Sequence, residues 1–286
     1  MASDLRGKTL FISGASRGIG LAIALRAARD GAQVAIAAKT DQPHPSLPGT
    51  IHTAAAQITA AGGQALALCC DIRDELQVEA AVAATVARFG GIDVCVNNAS
   101  AISLTPILET PLKRFDLMHG VNARGTFLVT QQALPHLLRA ANPHVLMLSP
   151  PLSMQERWFA PHVAYTMAKF GMSMVVLGVA GEFRGRVGVN ALWPRTAIDT
   201  AAMAVLRQRL PVGALRSSAI LADAAHLILT SEARTTTGNF FIDADLLAMH
   251  GVTDLSSYAP AGVADVDITP DFFVPSLRQL RKKDQP

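Results

Sequence analysis

The chain has 286 residues, of which half are hydrophobic and 16% charged, and its formal net charge is +3. So small a charge implies no nucleic-acid partner, and no apolar run approaches the roughly 18 residues that a membrane span requires. That length suits one large α/β domain with an ample core. The glycine-rich turn directly after the first apolar stretch stands where a signal peptide would be cleaved, so no signal peptide is expected. The basic run Arg278–Lys283 reads as a solvated tail. Cys69, Cys70 and Cys95 all lie in apolar strand-like runs. Buried free thiols in a reducing, cytoplasmic compartment are expected. The eight histidines show no metal-ligand spacing, so no metal site is expected.

Short β-rich runs alternate with alanine-rich helical stretches along the chain. The strands predicted are residues 8–15, 33–39, 65–72, 92–99, 144–149, 187–194 and 239–243, and six or more helices separate them. That rhythm gives βαβ units. Runs such as VAIAA, apolar at every position, suit a sheet covered on both faces. A single doubly wound parallel sheet of about seven strands, the Rossmann-type fold, is therefore predicted.

Ligands bind such sheets at the carboxyl ends of the strands. After the first strand stands GASRGIG, Gly14 to Gly20. Its glycines permit a tight turn, and the free N–H groups and dipole of the following helix favour a pyrophosphate. Gly14, Ser16, Arg17, Gly18, Ile19 and Gly20 are the candidates. Lys39 closes the second strand where an NAD-binding domain usually has an acid. With Arg17 it suits a 2′-phosphate, so NADP(H) is expected in preference to NAD(H). The proline-rich segment 40–49 is predicted to lie across the surface near the adenosine. Asp71 ends the third strand and Asn97, Asn98 and Ala99 end the fourth.

Tyr165 and Lys169 are four apart in a helical pattern and so leave the same face. A neighbouring ammonium favours the phenolate and lowers the phenol pKa, which suits a proton shuttle to an alcohol or carbonyl oxygen.

With these residues in hand, the chain resembles the classical short-chain dehydrogenases/reductases. The resemblance rests on Gly14, Gly18, Gly20, Asp71, Asn97–Ala99, Asn122, the Tyr165/Lys169 pair and Pro194. It looks most like the hydroxysteroid dehydrogenase-like protein 2 group, through AAKTDQPHP, NNASAISLT, LSPPL, AYTMAKFGMSMVVLG, NALWPRTAIDTAAM and TGNFFID. Some members carry a further sterol-carrier domain, for which no stretch long enough is expected here. The resemblance implies that Asp71 meets the adenine and that Asn98 and Ala99 lie along the ribose. Lys169 would bind the nicotinamide ribose and lower the pKa of Tyr165. Asn122 would kink its helix and hold a water linked to Lys169, and Thr196 and Ile198 would line the nicotinamide.

Two positions depart from the family pattern. The usual serine lies thirteen before the tyrosine, where Leu152 stands; Ser149 and Ser153 flank it, and Ser153 is the preferred candidate. Arg195 stands where glycine is common. Met154, Trp158, Phe159, Met203 and Leu206 are the candidates for an apolar pocket. The reading is an NADP(H)-dependent oxidoreductase acting on a small apolar alcohol or carbonyl, with an NADP(H) sensor or lipid-binding protein as alternative. Residues 1–245 would form the domain. Residues 246–286 would be an extension packing on it or on a neighbouring subunit of a homodimer or homotetramer.

Overall fold

The computed structural model describes residues 4–45, 47–201, 203 and 213–275. Seven strands, β1 (Thr9–Ser13), β2 (Gln33–Ala38), β3 (Gln64–Cys69), β4 (Val94–Asn97), β5 (His144–Met147), β6 (Gly188–Trp193) and β7 (Phe240–Ile242), form one sheet in the order β3-β2-β1-β4-β5-β6-β7. Every pairing is parallel. The helices are α1 (Gly18–Arg29), α2 (Ile51–Ala60), α3 (Glu75–Phe89), α4 (Leu112–Met118), α5 (Thr126–Leu137), α6 (Val163–Glu182), α7 (Ala219–Leu229) and α8 (Asp243–Met249).

Strand alternation sorts the apolar residues into two cores. Leu10, Ile12, Val34, Ile36, Val94, Val96, Leu146 and Leu192 face α1, α2 and α7. Phe11, Ala35, Cys95, Val145, Met147 and Val189 face α3, α5 and α6. The strand order reverses between β1 and β4, whose last residues Ser13 and Asn97 are paired. The predicted turn and Asn98 are thereby side by side at the switch point, where such sheets bind ligands.

Three expectations change. Cys69 is exposed, because it ends an edge strand, while Cys70 and Cys95 are buried; all three are free thiols. The helix expected to carry a kink at Asn122 is interrupted by a whole π-helical segment, His119–Gly125, between α4 and α5. Among the described residues α6 is long and apolar enough to cross a membrane by length and composition, but more than half of its apolar window is buried inside the fold.

Beyond β7 the chain stays on the domain. Leu246, Leu247 and Leu255 join the α1/α7 core. Farther on, Ala197 N donates to Thr269 O (2.8 Å), Thr269 N to Ala214 O (2.9 Å) and Asp271 N to Arg195 O (3.2 Å). This ladder lays residues 268–271 along the segment leaving β6. Buried Arg195, unexpected in place of glycine, pairs with Asp245 and donates to Pro275 O, and buried Arg216 pairs with Asp265. The two arginines tie the extension to the segments around Pro194 and residue 216.

Candidate active site

The amino end of α1 suits an anion. Thr50 and Asp74 cap α2 and α3 with their side chains, but Arg17 before α1 caps nothing, and the first turn of α1 holds no acid. Its leading N–H groups are thus left to other acceptors. Gly14 is left-handed (φ +69°), and a Cβ there would lie 2.7 Å from Ala99 Cα. A Cβ on Gly20 would meet Asn98 Nδ2 at 2.4 Å. Asn98 Nδ2 in turn donates to Ser13 O and Gly14 O, both at 3.0 Å, so β4 holds the turn in shape. Ser16 is buried beneath it. These residues fit a dinucleotide pyrophosphate.

The cations are placed nearby but are paired within the protein. Arg17 donates from Nε to Pro48 O (2.8 Å) and from Nη2 to Gly49 O (2.7 Å), fixing the proline-rich segment against the turn. Lys39 Nζ lies 3.1 Å from Asp71. Arg73 chelates the same carboxylate, and Arg73 first, with Lys39 second, holds that carboxyl well below its usual range. Asp71 thus shares the β2–β3 end with Lys39.

A cavity of about 160 Å³ opens beside this cradle. Ile19, Asn98, Tyr165, Lys169, Pro194, Ile198 and Met203 of the expected residues line it, with Trp193, Asp271 and Phe272. Thr200 lines both it and a larger cavity of about 480 Å³ that reaches Arg17 and Gly18. The tyrosine and lysine therefore converge as their spacing predicts. Lys169 Nζ donates to Leu148 O (2.8 Å) and lies 5.0 Å from the Trp193 ring centre. Burial draws its pKa down to about 7 against the opposing pull of Asp271. Burial, and then the Asp271 charge, push the Tyr165 phenol up. These two influences oppose the lowering expected from Lys169.

Asn122 sits fully buried in the π-helical segment and grips one residue of the β4 exit: Oδ1 accepts from Ala101 N (2.8 Å) and Nδ2 donates to Ala101 O (2.9 Å). The α-helix is interrupted at this residue, and its side chain is spent on the Ala101 backbone. Neither candidate serine lines the cavity. Ser149 Oγ is buried without a hydrogen-bond partner, and half-buried Ser153 accepts only a long 3.5 Å contact from Gln155 N. Thr196 is buried, its hydroxyl unpartnered and its backbone bridged to Pro270. Met154 is 86% exposed and forms no wall. Trp158 and Phe159 instead join the aromatic cluster around Phe273, and Leu206 lies outside the described residues.

Sequence reasoning missed Ser100, Trp193, Asp271 and Phe272. Ser100 directly follows the singled-out Asn97–Ala99 run, and Trp193 directly precedes Pro194, so their neighbours were the available signal. Asp271 and Phe272 come from the irregular extension, which has no periodicity to place them.

Residues 8–210 match the family described as short chain dehydrogenase. The chain belongs to that family. Other members resemble this short chain dehydrogenase over nearly its whole length. Hydroxysteroid dehydrogenase-like protein 2 of Danio rerio is 56% identical and that of Homo sapiens 53%, each over 94% of this chain. The chain spans 64% of the length of those two relatives. Among solved structures, a Xanthomonas campestris protein assigned as a dehydrogenase is 58% identical with a TM-score of 0.91, over 96% of this chain and 100% of that one. A metagenomic short-chain oxidoreductase in complex with NADP is 25% identical with a TM-score of 0.68, over 83% of this chain and 96% of that one.

Proposed function

We propose that this short chain dehydrogenase interconverts an alcohol and a carbonyl on a small apolar substrate with NADP(H). The observation that carries the reading is the convergence of Tyr165 and Lys169 on one cavity with Asn98 and Pro194, walled by Trp193 and Phe272. A bound dinucleotide supplies or accepts the hydride. Gly14–Gly20 would hold its phosphates. Tyr165 would give its proton to, or take one from, the substrate oxygen. Lys169 would hold the ribose and oppose the two influences that keep the phenol protonated. The aromatic wall would exclude water and take the apolar body of the substrate. The preference for the 2′-phosphate rests on Lys39 just past β2 and Arg17 in the glycine turn, and the NADP bound by the metagenomic relative agrees with it.

The alternative, an NADP(H) sensor or lipid carrier with little turnover, draws on the Lys169 Nζ bond to Leu148 O and on a cavity that neither candidate serine lines. The test is NADPH oxidation against decanal, citral and progesterone, with Tyr165→Phe alongside. Turnover that falls by about 10²–10⁴-fold in the variant supports the dehydrogenase. Tight NADPH binding with no turnover in either protein supports the sensor or carrier. Phe127, Met167, Met174 and Leu177 are exposed on α5 and α6, which favours self-association into a dimer or tetramer. Three free thiols favour a reducing compartment such as the cytoplasm.

A further inference from the structure

The cavity contains an acid that the reaction as described does not use. Asp271 lines it together with Tyr165 and Lys169, which α6 contributes. Its position is determined by the backbone. Its N–H donates to Arg195 O, its Oδ1 accepts from Phe272 N (2.7 Å), and the next carbonyl, Phe272 O, receives Trp193 Nε1 (2.8 Å). Phe273 then adopts φ 68°, the single left-handed residue other than glycine among those described. A bulky residue in that region stores backbone strain, and such strain is concentrated at functional sites. Phe273 is held there by rings on several sides: Trp158, His162, Tyr165, Phe170 and Trp193 all lie within 6.1 Å centre to centre.

We propose that Asp271 is a further catalytic residue of this site, its carboxylic acid giving the substrate oxygen the hydrogen bond that the family's serine would otherwise supply. The proposal rests on the dehydrogenase reading above. As hydride reaches the carbonyl carbon, the C=O electron pair moves onto oxygen and Tyr165 gives that oxygen its proton. Asp271 donates a hydrogen bond to the same oxygen and keeps its own proton.

Burial favours the neutral acid of Asp271, and the charges around it pull in both directions. Lys169 faces it from α6, uncharged Tyr165 lies alongside, His162 packs on the ring of the next residue, Phe272, and Asp243, at the start of α8, adds negative charge. Arg195 and Arg216 are drawn off by Asp245 and Asp265 and lie nearer Asp243. Burial, reinforced by Asp243 and opposed by the Phe272 N–H, Lys169 and the Trp193 N–H, lifts the Asp271 carboxyl to about 7. An ionised Asp271 would also offset the Lys169 field and hinder any phenolate. A protonated one does neither, and a carboxylic acid kept neutral in an apolar site is an effective donor.

The experiment compares wild type, Asp271→Asn, Asp271→Ala, Ser100→Ala and Tyr165→Phe in NADPH oxidation with whichever of decanal, citral or progesterone is turned over, from pH 5.5 to 9. Aspartate-labelled protein is titrated in parallel by carboxyl ¹³C NMR. Asp271→Ala is expected to lose about 10²–10³-fold in kcat, the cost of one oxyanion donor in well-studied hydrolases, with NADPH affinity unchanged. Asp271→Asn keeps an N–H donor and is expected to stay within about tenfold of wild type and to decline less steeply in kcat above neutral pH, where only Lys169 still loses its proton. One carboxyl titrating near neutrality, absent from the Asn variant, completes the expected result. Asp271→Ala with wild-type kcat overturns the proposal alone, as does an Asp271 carboxyl that titrates in the ordinary acid range. A loss confined to Ser100→Ala transfers the role to Ser100. No turnover by wild type, with NADPH still bound, overturns the dehydrogenase reading and this proposal with it.

Discussion

Gly14 and Asn98 are neighbours because β1 and β4 are paired where the strand order reverses, whereas Asp271 and Phe272 reach the adjoining cavity on a chain that has left the sheet. The cradle is shaped by backbone: left-handed glycines, an uncapped helix end and an asparagine holding two carbonyls. The cavity wall is shaped by side chains, a ring cluster fastened by arginine–carboxylate pairs. Damage to each should therefore be felt differently. A change in the cradle removes the dinucleotide, and a change in the wall leaves the dinucleotide bound and alters stability or turnover.

The largest effect is expected at Gly14, where stability and dinucleotide binding should be lost together. Gly14→Val forces a β-branched residue into the left-handed region and its Cβ against Ala99 Cα, costing about 2–5 kcal/mol. Urea unfolding should show it, and NADPH fluorescence should show binding lost. Phe273→Ala should cost about 3–5 kcal/mol, as truncation of a buried phenylalanine does. NADPH should still bind to the folded variant; loss of binding at matched stability would break the division between cradle and wall. Lys39→Glu should raise the NADPH dissociation constant about 10–100-fold, the worth of a charge-assisted hydrogen bond, with little change for NADH. Equal loss of both in titration calorimetry would place Lys39 outside the 2′-phosphate site.

The smallest effect is a pH dependence of stability. The Asp271 carboxyl is raised to about 7 in the folded chain, so between pH 4 and 7 the native state holds a proton that the unfolded chain has released. Stability from this group accordingly falls as pH rises through that window. Asp243, raised to about 6 chiefly by burial, acts in the same direction. Lys169, lowered to about 7, acts oppositely between about pH 7 and 10, where the unfolded chain retains the proton. Asp271→Asn should therefore gain about 2–4 °C in melting temperature relative to wild type at pH 7.5 compared with pH 5. An identical difference at both pH values would show that Asp271 titrates normally.

The same contrast explains what the sequence disclosed. GASRGIG, the asparagines after β4 and the Tyr165/Lys169 pair are legible because each is a local pattern on an element whose period is readable. The resemblance implied a kink at Asn122, but neither the π-helical form of that segment nor the grip on Ala101 was legible. The wall was not legible. Trp158 and Met154 lie four residues apart in one segment, yet one is packed on Phe273 and the other is exposed, and no periodicity in that loop distinguishes them. The search for a serine followed position in the chain and found two that miss the cavity, while the acid lining it is carried by Asp271, beyond the last strand.

The place of residues 269–273 in the chain has a consequence for biosynthesis. Translation runs from the amino end, so all seven strands and the helix carrying Tyr165 have been made before Asp271 leaves the ribosome. A nascent molecule therefore passes through a stage in which its phosphate-binding turn is finished while one side of its reaction chamber has yet to be synthesised. The order of manufacture separates the ability to hold a nucleotide from the ability to enclose anything beside it.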